Sequence, residues 1–500
     1  MIKKDFFKSS LVYTISAGLS TAASFLLLPF YTNTHLLTVS DFGALSLYLG
    51  LSLLVQLVTS FGLDYYVVVS YHELSDKPAE LKSKVASLNG YLIVAGLIIT
   101  LSFLLGGNFI IDKFIPNANP ASFRYVMMSV FTGIFNAHFR FYNNLLIQQA
   151  RPQTYFWSNL LNFVTTVLFS LGILKMFPLT LEGPMWGRFL SCLCIFIMSF
   201  SDVTYNFGIA FQRKFLKSAW LFCAPLMVTT VFQWVLSYSD RYIIKPLLFN
   251  GEVAIFDLAV RFTMLLSLVL DSLTTAITPK IFGLMKSGGE NAAAEINKYY
   301  SGINMVALVL IPLNILILPL ILPLFIKDPK YLTAFLYFGI ICAGLITRTI
   351  QNLFLFPVFY LKKTSIFIPI NGISAVVQVV LGYFMVKYFK LYGAAFTLNI
   401  VKLVMLVLYF IWCRDLLNPK INKQKIVLLP IIVLFVISFA ELFITKYGLK
   451  MHLIHLMELI AIAGVTAVIY WNELLELAKW GIKQGRITLG NLNANGAEES

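Results

Sequence analysis

Four cations stand inside stretches of sequence that otherwise hold almost no charge: Arg140, Arg261, Arg348 and Lys402. Burying a charge at the centre of a membrane-spanning helix costs about 2.5–3.5 kcal/mol on insertion scales, so such a residue is a functional candidate by default. Arg261 lies eight residues past Val253, roughly 12 Å into its apolar stretch at the helical rise per residue. Arg348 stands near the middle of its stretch, Lys402 is roughly 15 Å into its own, and Arg140 lies closer to a cytoplasmic end. The acids fall elsewhere. Asp64 and Asp271 are near cytoplasmic ends, Asp257 near an outer end, and Glu441 and Glu458 in the outer parts of the last two stretches. The midplane is therefore expected to be cationic, and guanidinium forks suit phosphate oxygens. The chemistry on offer is the holding of an anion.

Blander roles compete for the same residues. Asp257 and Arg261 are four apart and can neutralise each other on one helix; Lys402 can pair with an acid or snorkel, and Arg140, near a cytoplasmic end, can also snorkel. Arg348 has no acid within a turn and is the strongest candidate for a cavity cation. Asp64 and Asp271 are the candidates for carrying a coupling ion, H+ or Na+. His35, His72, His138, His452 and His455 form no metal or triad spacing with carboxylates, and His452-x-x-His455 reads as interfacial. No metal site and no cofactor is expected. Cys192, Cys194, Cys223, Cys342 and Cys413 all lie in apolar blocks, where cysteine behaves as a small hydrophobe. Pro29, Pro225, Pro279, Pro312, Pro319 and Pro357 fall within or at the ends of apolar stretches and serve as bends or hinges.

The elements that must position these groups follow from composition. Of 500 residues, 59% are hydrophobic and 12% charged, about half the charge of an ordinary soluble domain. The apolar residues come in blocks of roughly 20, the length that crosses about 30 Å of hydrocarbon as helix. Alternation of the kind a spanning β-barrel needs is missing. The fold class is an all-α, polytopic membrane protein. Fourteen spans are expected: 10–31, 42–68, 88–107, 124–147, 155–177, 185–203, 219–240, 253–278, 303–326, 333–358, 366–386, 392–412, 427–445 and 452–472. The N-terminal apolar stretch is too long for a signal-peptide core and reads as an uncleaved first span.

Net charge is +15, but the basic residues sit in short connectors with no stripe that would suit nucleic acid. Sorted by side, twenty-two lysines and arginines fall on one face and twelve on the other, with the four cations above inside spans. The positive-inside rule then puts both termini in the cytoplasm, as an even number of spans requires. Connectors are short, and the longest, about 70–87 and 279–302, are cytoplasmic and helical in character.

The chain also restarts. Phe6-Phe7-Lys8-Ser9-Ser10 before the first span has its counterpart in Phe215-Leu216-Lys217-Ser218-Ala219 before the seventh. Ser40-Asp41-Phe42-Gly43-Ala44-Leu45 has one in Asn250-Gly251-Glu252-Val253-Ala254-Ile255. Each match is short, and shared apolar composition is the competing explanation. Repeats of six spans share an orientation, are related by an axis along the membrane normal, and commonly build alternating access.

Four segments carry a resemblance: Thr38-Val39-Ser40-Asp41-Phe42-Gly43 with Phe61-Gly62-Leu63-Asp64; Phe215 to Pro225-Leu226 with Ser239-Asp240-Arg241-Tyr242-Ile243-Ile244; Gly251 to Phe256; and Leu361-Lys362-Lys363-Thr364 with Leu391-Tyr392-Gly393-Ala394-Ala395. In these the chain resembles the polysaccharide-biosynthesis (Wzx-type, O-antigen) flippases of the multidrug/oligosaccharidyl-lipid/polysaccharide exporter superfamily, over roughly residues 5–475. Ala254 and Phe256 depart from the glycine and tyrosine usual there. The resemblance implies two six-helix bundles related by a pseudo-two-fold, 1–210 and 211–416, then two peripheral helices in 417–476 and a cytoplasmic tail, 477–500. It implies structural roles for Asp240, Arg241, Pro225 and Gly43.

The cargo implied is an undecaprenyl-diphosphate-linked oligosaccharide moved from the cytoplasmic to the outer leaflet of a bacterial inner membrane, with a polysaccharide polymerase as a downstream partner. Its diphosphate would sit on Arg348, Arg261, Lys402 and Arg140. About two negative charges moving outward across an inside-negative potential gain roughly 4–5 kcal/mol per 100 mV. The alternative is a multidrug/cation antiporter of the same superfamily, which would favour an acidic cavity and twelve spans. A membrane polymerase or ligase would be expected to carry a large outer loop, for which there is no room.

Overall fold

The computed structural model describes residues 4–74, 76–114, 121–326, 328–416, 422–447, 451–471 and 473–475. The expected tail, 477–500, lies outside them.

The chain is helical from end to end of the described residues. In order the helices are α1 (Lys4–Tyr31), α2 (Val39–Ser60), α3 (Leu63–Glu73), α4 (Pro78–Phe114), α5 (Ala121–Gln148), α6 (Pro152–Met176), α7 (Glu182–Phe207) and α8 (Arg213–Leu247). There follow α9 (Asn250–Ser287), α10 (Gly289–Ile321), α11 (Pro329–Leu332), α12 (Phe335–Ala343), α13 (Ile346–Tyr360), α14 (Phe367–Cys413), α15 (Leu429–Tyr447) and α16 (Met451–Ile469). The fourteen expected spans fall on these helices, and among the described residues eleven helical stretches are long and apolar enough to cross a membrane on length and composition alone. This is a polytopic helical membrane protein.

The differences from the expected spans lie in where helices break. The expected span 42–68 is two helices, because Phe61 (φ 48°) and Gly62 (φ 78°) are both left-handed. The Phe61 N–H closes α2 on the Leu57 carbonyl at 3.1 Å, and α3 starts afresh at Leu63. The expected span 333–358 is likewise two helices, α12 and α13, joined by Gly344 and Leu345. In contrast, 366–386 and 392–412 run as one helical segment, interrupted only at Lys390 (φ 52°, ψ −135°). The connectors expected at about 70–87 and 279–302 are largely extensions of α3, α4, α9 and α10 rather than separate elements.

Local chemistry explains the ends. The Thr38 hydroxyl accepts from the Asp41 N–H (3.1 Å) and donates to the Asp41 carboxylate (2.6 Å), a reciprocal cap that starts α2. Two residues on, Gly43 lets α2 meet the start of α9: a Cβ there would overlap the Asn250 carbonyl. Trp234 Nε1 donates to the Gly50 carbonyl (2.8 Å) and the Tyr242 hydroxyl to the Leu47 carbonyl (2.7 Å), fastening α8 along α2.

The chain divides into two compact units. One comprises Met1–Leu258, Pro323–Thr333 and Phe367–Thr397; the other comprises Ala259–Leu322, Ala334–Ile366 and Leu398–Ser500. The core of the first gathers Leu63, Val67, Val85, Leu88, Phe141 and Leu145 between α3, α4 and α5. In the second, Phe262 of α9 stacks on Phe335 and meets Phe338 edge-on, joining α9 to α12.

Overpacking a close helix contact costs about 1–3 kcal/mol, so Gly43→Ala is expected to lower the melting temperature of the purified protein. Gly172→Ala, where a Cβ meets nothing within 4 Å, is the control and should not. Equal melting temperatures for Gly43→Ala and wild type would rule out the close approach of α2 to Asn250.

Candidate functional site

Within the second unit, the break between α12 and α13 collects charge. Successive i→i+3 bonds, Leu345 N–H to Cys342 O (2.9 Å) and Arg348 N–H to Leu345 O (3.1 Å), carry the chain through it. Irregular backbone at membrane depth is tolerated where it is buried in protein or lines a cavity. Gly344 has no side chain, and the space a Cβ would occupy is taken by Asn399 Oδ1 and Lys402 Nζ, both from α14. Asn399 Nδ2 in turn donates to the Ile340 carbonyl at 2.7 Å. Lys402 thus points its ammonium at the C-terminal end of α12, where the helix dipole favours a cation.

Arg348 stands in the first turn of α13 and reaches across to α9. Its Nη2 lies 2.8 Å from Asp271 Oδ2 and 2.7 Å from Oδ1, with both side chains 44% exposed. Arg348 therefore has an acid partner, supplied by another helix. No acid lies within a turn of its own helix, but Asp271 comes from a helix 77 residues away in sequence. Arg348 is also near enough to Lys402 for the two charges to repel. Among the described residues no carboxylate pairs with Lys402. Two cations and one carboxylate leave this corner with one positive charge in surplus. One turn beyond Asp271 and Arg348, Asn352 Nδ2 meets Thr274 Oγ1 at 3.3 Å, continuing the polar contact between α13 and α9.

Arg261, on α9, is half-buried. Arg140 belongs to the first unit. Its Nε lies 2.7 Å from Asp64 Oδ2, its Nη2 donates to the Tyr65 hydroxyl at 2.8 Å, and the guanidinium stands over the Tyr65 ring. Asp64 is almost fully buried, in the first turn of α3, where the helix N-terminus favours its charge. The break at Phe61-Gly62 is what creates that N-terminus. Asn144 Nδ2 holds the Asp64 carbonyl at 3.0 Å. Both acids singled out for ion coupling, Asp64 and Asp271, are thus the partners of two of the four cations.

Arg241, which the expected spans leave in the connector after 219–240, lies inside a helix. It lies within α8, 1% exposed, with Nε 2.8 Å from Asp257 Oδ1 and Nη1 2.9 Å from Asp240 Oδ1. Nη1 also donates to the Ser237 carbonyl (2.8 Å), and the Tyr238 ring lies against the guanidinium. Two carboxylates on one buried guanidinium tie α8 to the start of α9. Pro225 lies in the same helix, two residues beyond Cys223, which packs on Gly62.

His138 and His455, the second expected at an interface, are both buried in contacts. His138 Nε2 lies 2.9 Å from Asn89 Oδ1 and Nδ1 3.3 Å from Ser199 Oγ, joining α4, α5 and α7. His455 is 2% exposed and meets Glu441 across α15 and α16.

Among the described residues no group of three His, Cys, Asp or Glu side chains is arranged to hold a metal.

The family described as polysaccharide biosynthesis protein matches residues 6–285, more than half of the chain. No curated protein matches the sequence. Solved structures do match in fold. "Lipid II flippase MurJ, inward closed conformation" superposes with a TM-score of 0.69 at 14% identity, covering 93% of this chain and all of that one. A ligand-bound structure of the MATE multidrug transporter DinF-BH gives 0.56 at 12%, covering 85% and 97%. An inward-facing multidrug resistance MATE family transporter of the MOP superfamily gives 0.51 at 15%, covering 81% and 93%.

Removing one partner of a fully buried charge group costs about 3–5 kcal/mol. Arg241→Gln is therefore expected to reduce the folded fraction in membranes severely, whereas Arg348→Gln, at a half-exposed pair, leaves it near wild type. Fluorescence-detected size exclusion of the two variants checks this. Normal, monodisperse Arg241→Gln protein would show that the triad does not hold α8.

Proposed function

Because the chain belongs to the polysaccharide biosynthesis protein family, we propose that it is a flippase for an undecaprenyl-diphosphate-linked oligosaccharide, working from the cytoplasmic to the outer leaflet of a bacterial inner membrane with both termini cytoplasmic. The observation that carries this reading is the placing of Arg348 and Lys402 at the α12–α13 break with Asp271 as the one acid paired there among the described residues. A surplus positive charge at a half-exposed site suits an anionic headgroup, and it argues against a cationic drug as cargo.

The resting ion pair has a physical purpose in this scheme. A bare guanidinium in the membrane interior is costly, and Asp271 lowers that cost while no cargo is present. Asp271 engages Arg348 through Nη2 alone, whereas a diphosphate offers the whole guanidinium fork a bidentate partner with more charge. It therefore displaces the carboxylate, and Lys402 adds a second contact. Arg140 and Asp64, equally paired and with Arg140 partly exposed, would act in the same way nearer the cytoplasmic entry. Arg261 is a fourth cation for the cargo. The sugars and diphosphate would occupy the protein while the polyprenyl tail remains in lipid, and the bundles 1–210 and 211–416 would alternate access. The chemistry is translocation, with no bond made or broken.

The membrane potential supplies the direction. Two charges leaving an inside-negative compartment gain roughly 4–5 kcal/mol per 100 mV, provided the protein's own cations stay behind.

Arg348→Gln is expected to abolish flipping of undecaprenyl diphosphate in reconstituted vesicles, with membrane abundance unchanged; full activity would remove Arg348 from the site. In wild-type vesicles, imposing an outward-driving potential of about 100 mV should raise the outward rate several-fold. A rate indifferent to voltage would contradict movement of net negative charge.

A further inference from the structure

A second polar centre lies in the peripheral helices, away from the α12–α13 cation pair. Glu441 of α15 is 1% exposed and His455 of α16 is 2% exposed, with His455 Nε2 3.1 Å from Glu441 Oε1. Glu458, three residues after His455 on α16, is also buried. His455 Nδ1 is buried with no hydrogen-bond partner. Gly339 of α12 makes the room: the Glu441 carboxylate occupies the space a Cβ would fill there.

From this centre a polar seam runs inward. Ser438, one turn before Glu441, is 3.5 Å from Asn399 Nδ2, which binds the Ile340 carbonyl, and Asn399 shares the cradle at Gly344 with Lys402. The other titratable groups facing the centre are few. Cys342 of α12 lies within electrostatic reach of both Glu441 and Lys402. Arg348 of α13 is held by Asp271. Past Tyr300, α10 carries no titratable side chain. At the opposite end of the peripheral helices, Lys425 is held by Glu473 at 2.8 Å.

Charge bookkeeping constrains what this centre holds. With both carboxylates ionised and the imidazole neutral it would carry two negative charges, which a dry site between helices does not support. Two protons shared among the three groups make it neutral, and losing one leaves a single negative charge facing the seam toward Lys402. Small movements of α15 or α16 that admit water therefore change its proton content. Glu441 stands six residues before the end of α15 and His455 four residues into α16. Both are close to the α15–α16 connection, on the outer side in the orientation that the lysine and arginine bias favours.

We propose that Glu441, His455 and Glu458 form a proton-binding site that couples transport to an outside-acid gradient. A proton enters from outer water onto the Glu441–His455 pair and neutralises the centre. It leaves toward the cytoplasm once the emptied carrier has returned, so that one proton moves in while cargo moves out. Asp64 and Asp271 are occupied by arginines, whereas this pair sets an imidazole against a carboxylate, and both partners exchange protons. The coupling half of this proposal rests on the flippase reading; the proton-binding half does not.

Two measurements on the full chain in liposomes separate them. Infrared difference spectra between pH 5 and pH 8 should contain a titrating protonated-carboxyl band that is lost in Glu441→Gln and altered in His455→Gln and Glu458→Gln. A spectrum unchanged in all three variants would overturn the proton site, and the second and third variants keep the test open if Glu441→Gln does not fold. In vesicles clamped at zero potential, an outside-acid step of two pH units should speed outward flipping of undecaprenyl diphosphate by wild type at least threefold. The same step should have no effect in Glu441→Gln or His455→Gln. An equal response in variants and wild type overturns the coupling. Wild-type vesicles that flip no undecaprenyl diphosphate under any gradient overturn the cargo reading and the coupling with it, while the infrared band still decides the proton site.

Discussion

A charge placed in a spanning helix must be compensated where it stands, and most of the polar architecture of this chain follows from that requirement. Arg241 is the strictest case. Fully buried, it takes two carboxylates and a backbone carbonyl, and α8 is fixed to the start of α9 as a result. Arg140 and Arg348 each take one carboxylate and remain partly open. Lys402 takes none among the described residues and leans on a helix end instead. The degree of compensation falls as exposure rises from Arg241 to the two paired arginines, and the groups left with spare capacity are those assigned here to an anionic ligand.

Breaks in the helices supply the second part of the design. At Phe61-Gly62 the left-handed residues end α2 and present a fresh N-terminus, and the first acid in that turn is Asp64. At Gly344-Leu345 the missing side chain admits Asn399 and Lys402 to the end of α12 while Arg348 begins α13. Each break stands beside one of the arginine–aspartate pairs. A continuous helix would offer those carboxylates and ammonium groups no dipole to lean on, and the same glycine logic, at Gly339, seats Glu441.

Much of this was legible beforehand. Span positions follow from blocks of apolar residues long enough to cross hydrocarbon, a signal that needs no tertiary information, and the expected spans fall on helices, two of them on a broken pair. The motifs with Thr38-Asp41-Gly43 and Phe61-Gly62 also carry their local reasons openly, as a cap, a close approach and a stop. What was hidden is pairing between helices. A search for partners within a turn of Arg348 finds none, because Asp271 lies on another helix. Arg241 looked like a connector residue because Asp240-Arg241 interrupts an apolar run, the usual sign of an interface. His455 looked interfacial because it follows a helix start, and its burial against Glu441 depends on α15, whose position no local pattern encodes.

The central claim is that Asp271 occupies Arg348 until a diphosphate replaces it. Equilibrium binding of undecaprenyl diphosphate to wild type and to Asp271→Asn, in nanodiscs at one pH and salt, tests this most directly. With its competitor removed, the variant is predicted to bind about tenfold more tightly, equivalent to about 1.4 kcal/mol. Affinity that stays the same or weakens in Asp271→Asn would mean that the pair only holds α9 to α13, and the exchange of carboxylate for phosphate would have to be abandoned.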